Sequence, residues 1–282
     1  MGRGPSLPDG SFGHIRTILN VRKEGEMLEL LWVFLIGAIP GFLATWLGIG
    51  GCFLRIPMMM GLLGLPIKSA YAVNMMVISL TTIPGVVAHY RMRHVYGPGL
   101  LVAAVGAAVG VIFGTQVAVF VPGATLKKIF GLACVGVGIY MLYMALKKRG
   151  KVPPRVTVDQ VASLEHGPRL FVLMVLAGFA TGICGFGGGI YYMPALSALG
   201  YPMHIAIGTS SSEMVPVALI GAVNLTLHGY QRWLYVAGIG GVTLVFSYLG
   251  ARTTAGMKAW VLRAIFGVLI GFVGACVAAG LI

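Results

Sequence analysis

One basic side chain, Arg55, stands inside a stretch of sequence that is otherwise apolar and rich in glycine. That stretch reads Gly48-Ile49-Gly50-Gly51-Cys52-Phe53-Leu54-Arg55-Ile56-Pro57. The planar guanidinium group offers N–H donors in a fork that fits two oxygens of a sulfonate or a carboxylate. Arg55 is therefore a candidate anion-binding residue. The alternative is a side chain that only extends along the lipid until its charge reaches the interface.

Glu213 is the only acidic residue within any apolar run, and it follows the polar cluster Thr209-Ser210-Ser211-Ser212. An ionised carboxylate is costly at membrane depth, so Glu213 is a candidate for binding a proton during a functional cycle. His89, on another apolar run, is a second candidate. For Glu213 the alternative is a structural contact with Arg55 or a backbone group. For His89 it is an ordinary contact between helices.

The glycine-rich stretch occurs a second time, as Gly185-Phe186-Gly187-Gly188-Gly189-Ile190-Tyr191-Tyr192-Met193-Pro194. Glycine allows positive φ and close approach, and proline leaves a backbone carbonyl unpaired, so Pro57 and Pro194 are predicted to break helices. A short helix that begins at the glycines can bind an anion at its N-terminus. The alternative is two helix-packing motifs without a ligand. The predicted substrate-binding residues here are Gly48, Gly50, Gly51, Cys52, Arg55, Gly185, Gly187, Gly188 and Gly189.

These two motifs belong to a longer internal repeat. At an offset of 137, Gly41-Phe42 matches Gly178-Phe179, and after one deletion an offset of 136 aligns Ile129-Phe130-Gly131 with Ile265-Phe266-Gly267. Asn74 then corresponds to Ser210, which is followed by Ser211. We expect these three side chains to offer hydrogen bonds to a bound oxyanion.

The composition requires that these residues be positioned within a lipid bilayer. The 282 residues are 58% hydrophobic and only 10% charged, with 43 glycines, whereas soluble domains carry about 25% charged residues. A secreted disulfide scaffold, a nucleic-acid-binding factor and an ordinary cytosolic enzyme are thereby excluded. The predicted fold is an all-α polytopic membrane protein with about eight transmembrane helices and two short re-entrant or broken helices near 50–65 and 187–200. The eight long runs lie near 29–48, 70–90, 98–121, 126–146, 169–186, 205–227, 232–251 and 259–281.

The predicted organisation has four parts: a cytoplasmic tail with an interfacial helix (1–27), a first membrane repeat (28–146), a hydrophilic connection (147–168) and a second membrane repeat (169–282). If the short runs are hairpins that do not cross, thirteen Lys and Arg share one side and six the other. The positive-inside rule prefers that split. It predicts parallel repeats, both termini in the cytoplasm, and 91–97, 147–168 and 228–232 on one side. If the short runs cross, the split is 11 to 8 and the repeats are inverted.

The motifs resemble those of the TauE/SafE sulfite exporter family of membrane permeases. The resemblance rests on the Gly-x-Gly-Gly-x-x-x-x-x-Pro element in both halves, each followed by a turn: Leu63-Gly64-Leu65-Pro66 and Leu199-Gly200-Tyr201-Pro202. It covers roughly residues 30–282 and implies transport of sulfite, sulfoacetate and related organosulfonates. Two departures, Cys52 in place of a third glycine and Arg55 in a stretch usually apolar, point to a shifted substrate preference.

We therefore expect a secondary transporter of small anions, most readily sulfur oxyanions or organosulfonates, that exports them across the cytoplasmic membrane. The alternatives are a gated anion channel, and an intramembrane enzyme or a membrane subunit of a complex. The sequence carries no ATP-binding or hydrolase motif, so the protein is predicted not to be an enzyme. The four cysteines lie far apart, so we expect no metal and no cofactor. The expected partners are a small anion and the bilayer, with no nucleic acid; a homo-oligomer stays open.

Overall fold

The computed structural model describes residues 11–47, 51–147, 167–253 and 259–281, and in these ranges the chain forms eleven helices. Their bounds are α1 (Ser11–Leu47), α2 (Cys52–Leu62), α3 (Ile67–Thr81), α4 (Ile83–Arg91), α5 (Gly97–Phe120), α6 (Gly123–Lys147), α7 (Gly167–Cys184), α8 (Gly189–Ala198), α9 (Met203–Leu227), α10 (Trp233–Thr253) and α11 (Ala259–Ala278). No strand occurs among the described residues. The all-α fold is confirmed.

Seven of the eight predicted long runs each correspond to one helix, the run near 70–90 is divided between α3 and α4, and both predicted short runs are short helices, α2 and α8. Six stretches of the described chain are long and apolar enough to cross a bilayer: Gly25–Leu43, Ile67–Arg91, Gly97–Phe120, Gly123–Lys147, Gly167–Cys184 and Ile205–Leu227. Helices α10 and α11 have 21 and 20 residues, with shorter described apolar stretches at Trp233–Leu249 and Gly267–Ala278. The protein is therefore a polytopic membrane protein.

Glycine allows the long helices to pack with their backbones in close contact, as its abundance suggested. A Cβ atom at Gly110 of α5 would lie 2.1 Å from the carbonyl oxygen of Val175 in α7. A Cβ atom at Gly131 of α6 would lie 2.6 Å from the backbone nitrogen of Ala278 in α11. Side chains at these positions would push the helices apart, so glycine fixes the distance between them.

Contacts between helices give the direction in which each one runs. We call the end of the bundle with residues 91–97, 147 and 167 the connection end, and the end with 63–67, 121–123 and 228–232 the terminal end. At the connection end the N–H of Tyr96 donates to Thr209 Oγ1 near the start of α9, at 3.3 Å. At the terminal end the ammonium group of Lys68 donates to the carbonyl of Val119 and lies 5.6 Å from the ring centroid of Tyr230.

These directions correct the predicted topology. Helix α9 runs from the connection end to the terminal end, so 228–232 lies opposite 91–97, and the prediction of one shared side is wrong. The cause is the path of α2. Helix α1 begins at the terminal end, where Tyr235 donates to Glu29 at 2.7 Å. Gly51, just before α2, packs on the carbonyl of Pro40, and α2 leads back to the end from which α1 came.

Two further predictions about local structure are also corrected. Pro57 and Pro194 lie inside α2 and α8 and do not break them; each leaves one backbone carbonyl of the preceding turn without its N–H donor. The helices are interrupted before them, at the glycines. Helix α1 continues through residue 27 as one element, so the predicted interfacial helix is not a separate one. Residues 1–10 and 148–166 lie outside the described residues.

Candidate anion-binding site

The two glycine motifs place the first residues of α2 and α8 inside the bundle. Helix α2 begins at Cys52 and α8 at Gly189, which correspond in the repeat. Before α8, Gly185 and Gly188 have φ values of +65° and +93°, a conformation that glycine adopts without strain. A Cβ atom at Gly188 would also lie 1.9 Å from the ring of Tyr192. Glycine is therefore required by both conformation and space.

Arg55 is buried in the middle of the protein and does not extend to the interface. The residue is 1% exposed. Its Nη1 donates to Asn74 Oδ1 at 3.0 Å and its Nη2 donates to Thr243 Oγ1 at 3.4 Å, while Nε has no hydrogen-bond partner. Both partners are neutral, and in the described part of the chain no carboxylate forms an ion pair with Arg55. Its positive charge is held in place but is not neutralised.

Asn74 joins the two halves of the protein at this point. Its Oδ1 accepts the hydrogen bond from Arg55, and its Nδ2 donates to the carbonyl of Gly185 at 2.8 Å. The amide therefore connects a side chain of the first motif to the backbone of the second. The predicted role of Asn74 as a hydrogen-bonding residue of the site agrees with its position, and its observed partners are protein groups.

The Cys52 sulfur lies at the N-terminus of α2 and against the second motif. The backbone N–H groups of Gly187, Phe53 and Cys52 itself lie close to this sulfur, and Arg55 interacts with it electrostatically. N–H groups at a helix N-terminus favour negatively charged ligands. The Cys52 sulfur thus lies among backbone N–H groups and within the electrostatic influence of Arg55.

Several predicted residues are not part of this cluster. Ser210 donates to the carbonyl of Ile207 in its own helix, and Ser211 is half-buried on α9. Gly48 and Gly50 lie outside the described residues. His89 is near the connection end, where its ring centroid is 5.8 Å from that of His94. No hydrogen bond joins His89 to Glu213.

Glu213 forms no hydrogen bond with Arg55. It is 0% exposed, and neither carboxyl oxygen has a hydrogen-bond partner. Tyr192, also 0% exposed, has a hydroxyl group without a hydrogen-bond partner that interacts electrostatically with Glu213. The sequence alternative of a contact between Glu213 and Arg55 is therefore not what the structure shows.

Three contributing residues were missed in the sequence. Thr243 holds Arg55 and donates to the carbonyl of Gly37 at 3.2 Å, but a threonine in an apolar helix carries no pattern that singles it out. Thr181 lies near the Tyr192 hydroxyl group. Tyr192 itself is detectable, because it corresponds to Arg55 at the offset of 137.

The arrangement supplies what binding of a small anion requires. A buried guanidinium group, an amide and a helix N-terminus converge where the two halves meet. A negatively charged ligand placed there would be held by charge-assisted hydrogen bonds, which are the stronger kind. The described residues offer no group of three or more metal-ligating side chains. The site is thus suited to an anion.

The chain is similar to known membrane proteins over most of its length. Residues 33–277 match the family described as Sulfite exporter TauE/SafE. A probable membrane transporter protein of Methanocaldococcus jannaschii is 25% identical over 77% of this chain and 80% of its own length. The probable membrane transporter protein YunE of Bacillus subtilis is 32% identical over 75% of this chain and 84% of its own length.

A third relative, a probable membrane transporter protein of Xylella fastidiosa, is 27% identical over 83% of this chain and 89% of its own length. No solved structure matches the chain. The resemblance seen in the glycine motifs therefore extends across both halves of the bundle. The chain belongs to the TauE/SafE sulfite exporter family and is a multi-pass membrane transporter.

Proposed function

We propose that the protein is a secondary carrier that exports small anions, of the sulfur oxyanion or organosulfonate class, across the cytoplasmic membrane. One observation carries this proposal: the guanidinium group of Arg55 is buried, is held by neutral partners and retains an unpartnered N–H at the point where the two motifs meet. A sulfonate or sulfite group presents several oxygens to a fork of N–H donors. The family's printed description, sulfite exporter, supports the same class.

The burial of Arg55 argues for a ligand. Translocon scales place the cost of an arginine at the centre of a membrane helix at about 2.5–3.5 kcal/mol. A charge kept there without a counter-charge is typical of a substrate pathway. An anion beside Arg55 would neutralise the site and offset part of that cost. Glycine at 51 and 187 lets the backbone next to it pack closely, against the carbonyl of Pro40 and the side chain of Ile78.

We further propose that the two halves are inverted repeats. Helix α1 of the first half packs on α10 of the second, and α7 of the second half packs on α5 of the first. In the same way, α3 contacts α9 and α6 contacts α11. Each contact is repeated when the halves are exchanged. Helix α5 runs toward the terminal end and its counterpart α10 runs away from it. Inverted repeats with discontinuous helices at the midplane are a common architecture for alternating access.

With the corrected directions, the same charge rule gives a different orientation from that predicted with parallel repeats. Eleven Lys and Arg then fall at the connection end and eight at the terminal end, with Arg55 in the core. The positive-inside rule places the connection end in the cytoplasm. The proposed topology therefore has the 147–168 connection inside the cell and both termini outside it.

The membrane potential is sufficient to drive export. With the interior negative, a monovalent anion leaving the cell gains about 2.3 kcal/mol per 100 mV, which corresponds to about a fifty-fold concentration ratio. A gated anion channel would be driven in the same way, and a membrane subunit would need a partner. The broken helices at the midplane favour a carrier, because they give a binding site that two halves can enclose.

Flux from proteoliposomes tests the proposal and separates it from the channel. The purified protein is reconstituted with radiolabelled sulfite or sulfoacetate inside, at a fixed membrane potential. A carrier gives saturable efflux that unlabelled anion on the opposite side accelerates by exchange. Efflux that rises linearly with concentration and shows no exchange identifies a channel. The absence of flux with all sulfur anions, together with transport of carboxylates, would overturn the proposed substrate class.

A further inference from the structure

A second buried polar cluster, distinct from the residues around Arg55, is formed by Thr181 of α7, Tyr192 of α8 and Glu213 of α9. All three residues are 0% exposed. The Tyr192 hydroxyl group and both oxygens of Glu213 have no hydrogen-bond partner. The Thr181 hydroxyl group donates to the carbonyl of Ala177 at 2.8 Å and lies near Tyr192. The Glu213 carboxyl group is thus buried without a hydrogen-bond partner and interacts electrostatically with the Tyr192 hydroxyl group.

The helices packed on α9 supply no cation to Glu213. Helix α5 contains no titratable side chain. On α3, Lys68 lies at the terminal end and Tyr71 interacts with Cys184 and Cys134. On α4, His89 is next to His94 near the start of α9, and Tyr90 and Arg91 are exposed at the connection end. Helix α8 contributes Tyr192. The remaining tyrosine of α8, Tyr191, contacts Cys184.

An ionised carboxylate with no hydrogen-bond donor is expensive at this depth. In the conformation described here, Glu213 therefore holds a proton. This has a consequence for Arg55: with Glu213 neutral, no negative charge in the described core balances the guanidinium group. With Glu213 ionised, its charge would repel an anion bound at Arg55.

Resting on the function proposed above, we propose that Glu213, Tyr192 and Thr181 form a proton site whose occupancy is linked to anion binding at Arg55. Glu213 carries the proton, and Tyr192 is a positioning residue whose hydroxyl group can donate to the carboxylate when it is ionised. The linkage is reciprocal: if the proton strengthens anion binding by some factor, the anion strengthens proton binding by the same factor.

The sign of the effect follows from charge. Anion affinity is highest at low pH, where Glu213 is protonated, and falls as the pH rises through the titration of Glu213 in the anion-free protein. Binding sites coupled in this way typically differ by about 5- to 150-fold in affinity. A coupling of tenfold corresponds to uptake of about 0.5 proton per anion at the most sensitive pH, and a hundredfold coupling to about 0.8.

Isothermal titration calorimetry on the purified full-length protein measures both quantities. Sulfoacetate and thiosulfate are used as probes, because neither takes up a proton between pH 5.5 and 8.5. Titrations in two buffers with different ionisation enthalpies give the number of protons bound with each anion. The wild type is expected to take up about 0.5–0.8 proton at its maximum, and Glu213→Gln, which imitates the protonated form, should bind at all pH values without uptake.

Two tyrosine variants complete the test, and they remain informative if Glu213→Gln does not fold. Tyr192→Phe should keep proton uptake but move its maximum to higher pH, because the ionised carboxylate loses its hydroxyl donor. Tyr191→Phe is the matched control and should leave the profile unchanged.

Three results would overturn the linkage: anion binding without proton uptake in the wild type, equal uptake in Glu213→Gln, or binding that requires sodium in place of protons. Failure of both probes to bind at any pH would instead overturn the proposed function itself.

Discussion

Replacement of Asn74 by aspartate is expected to abolish most anion binding while keeping the hydrogen bond to Arg55. The carboxylate would accept from Nη1, now at 3.0 Å from Asn74 Oδ1, and would place a negative charge beside the guanidinium group. An anion bound to the same group through a hydrogen bond of about 2.9 Å would have its oxygens about 6 Å from that carboxylate.

The size of the effect follows from that separation. Two unit charges about 6 Å apart, at an effective dielectric constant of about 20, repel by about 3 kcal/mol. Since 1.4 kcal/mol is tenfold in affinity, the Kd for a monovalent anion should rise by about a hundredfold. The free energy of unfolding should also fall, by about 1–3 kcal/mol, because the hydrogen bond from Nδ2 to the carbonyl of Gly185 is lost and two acceptor oxygens then face each other.

Calorimetry or ligand-induced thermal stabilisation measures the change, since a ligand that binds only the folded state raises Tm. Asn224→Asp is the matched control. Asn224 lies near the terminal end, where its Nδ2 donates to Thr115 Oγ1 at 2.6 Å, so the same charge is introduced away from Arg55. If Asn74→Asp binds sulfoacetate as the wild type does, the anion does not sit beside Arg55, and the proposed site is refuted.

Two other predictions concern packing and orientation. Gly110→Val should prevent accumulation of folded protein, because a Cβ atom there would lie 2.1 Å from the Val175 carbonyl oxygen. Gly136→Val is the control and should express as the wild type, because a Cβ atom there has nothing within 4 Å. Equal yields of the two variants by size-exclusion chromatography would contradict the close contact of α5 with α7. In a Cys276→Ser background, an impermeant maleimide added to whole cells should label Arg232→Cys but not Met92→Cys, and labelling of both or of Met92→Cys alone would contradict the proposed orientation.

The helices could be predicted from the sequence because hydropathy acts over whole segments. The runs near 98–121 and 169–186 became α5 (Gly97–Phe120) and α7 (Gly167–Cys184), since about 20 apolar residues are needed to cross a bilayer. The glycine motifs likewise indicated the breaks before α2 and α8, and at the second of these Gly185 and Gly188 have the positive φ that glycine favours.

The direction of α2 could not be predicted in this way. The eleven residues of α2 are as compatible with a re-entrant hairpin as with a segment that completes a crossing of the membrane. The distribution of Lys and Arg favoured the hairpin. What decides is the packing of Gly51 on the carbonyl of Pro40, a contact between residues that no periodicity relates.

The candidate site was predictable in part. Arg55, Asn74 and Glu213 are conspicuous as polar residues in apolar runs. Their partners depend on tertiary contacts: Thr243 lies 188 positions from Arg55 and Gly185 lies 111 positions from Asn74. Ser210 shows the limit of the repeat, because it corresponds to Asn74 yet bonds its own helix.

The most direct measurement of the central claim is the affinity of the purified protein for sulfoacetate and sulfite with Arg55 replaced. Arg55→Lys keeps the charge and loses the fork of N–H donors, so the Kd should rise about tenfold, and Arg55→Ala should bind more weakly still. Lys68→Ala is the matched control, because its ammonium group lies at the terminal end against Val119 and Tyr230, and it should bind as the wild type. Affinities for both anions that are unchanged in the folded Arg55 variants would show that the anion binds elsewhere and would contradict the account.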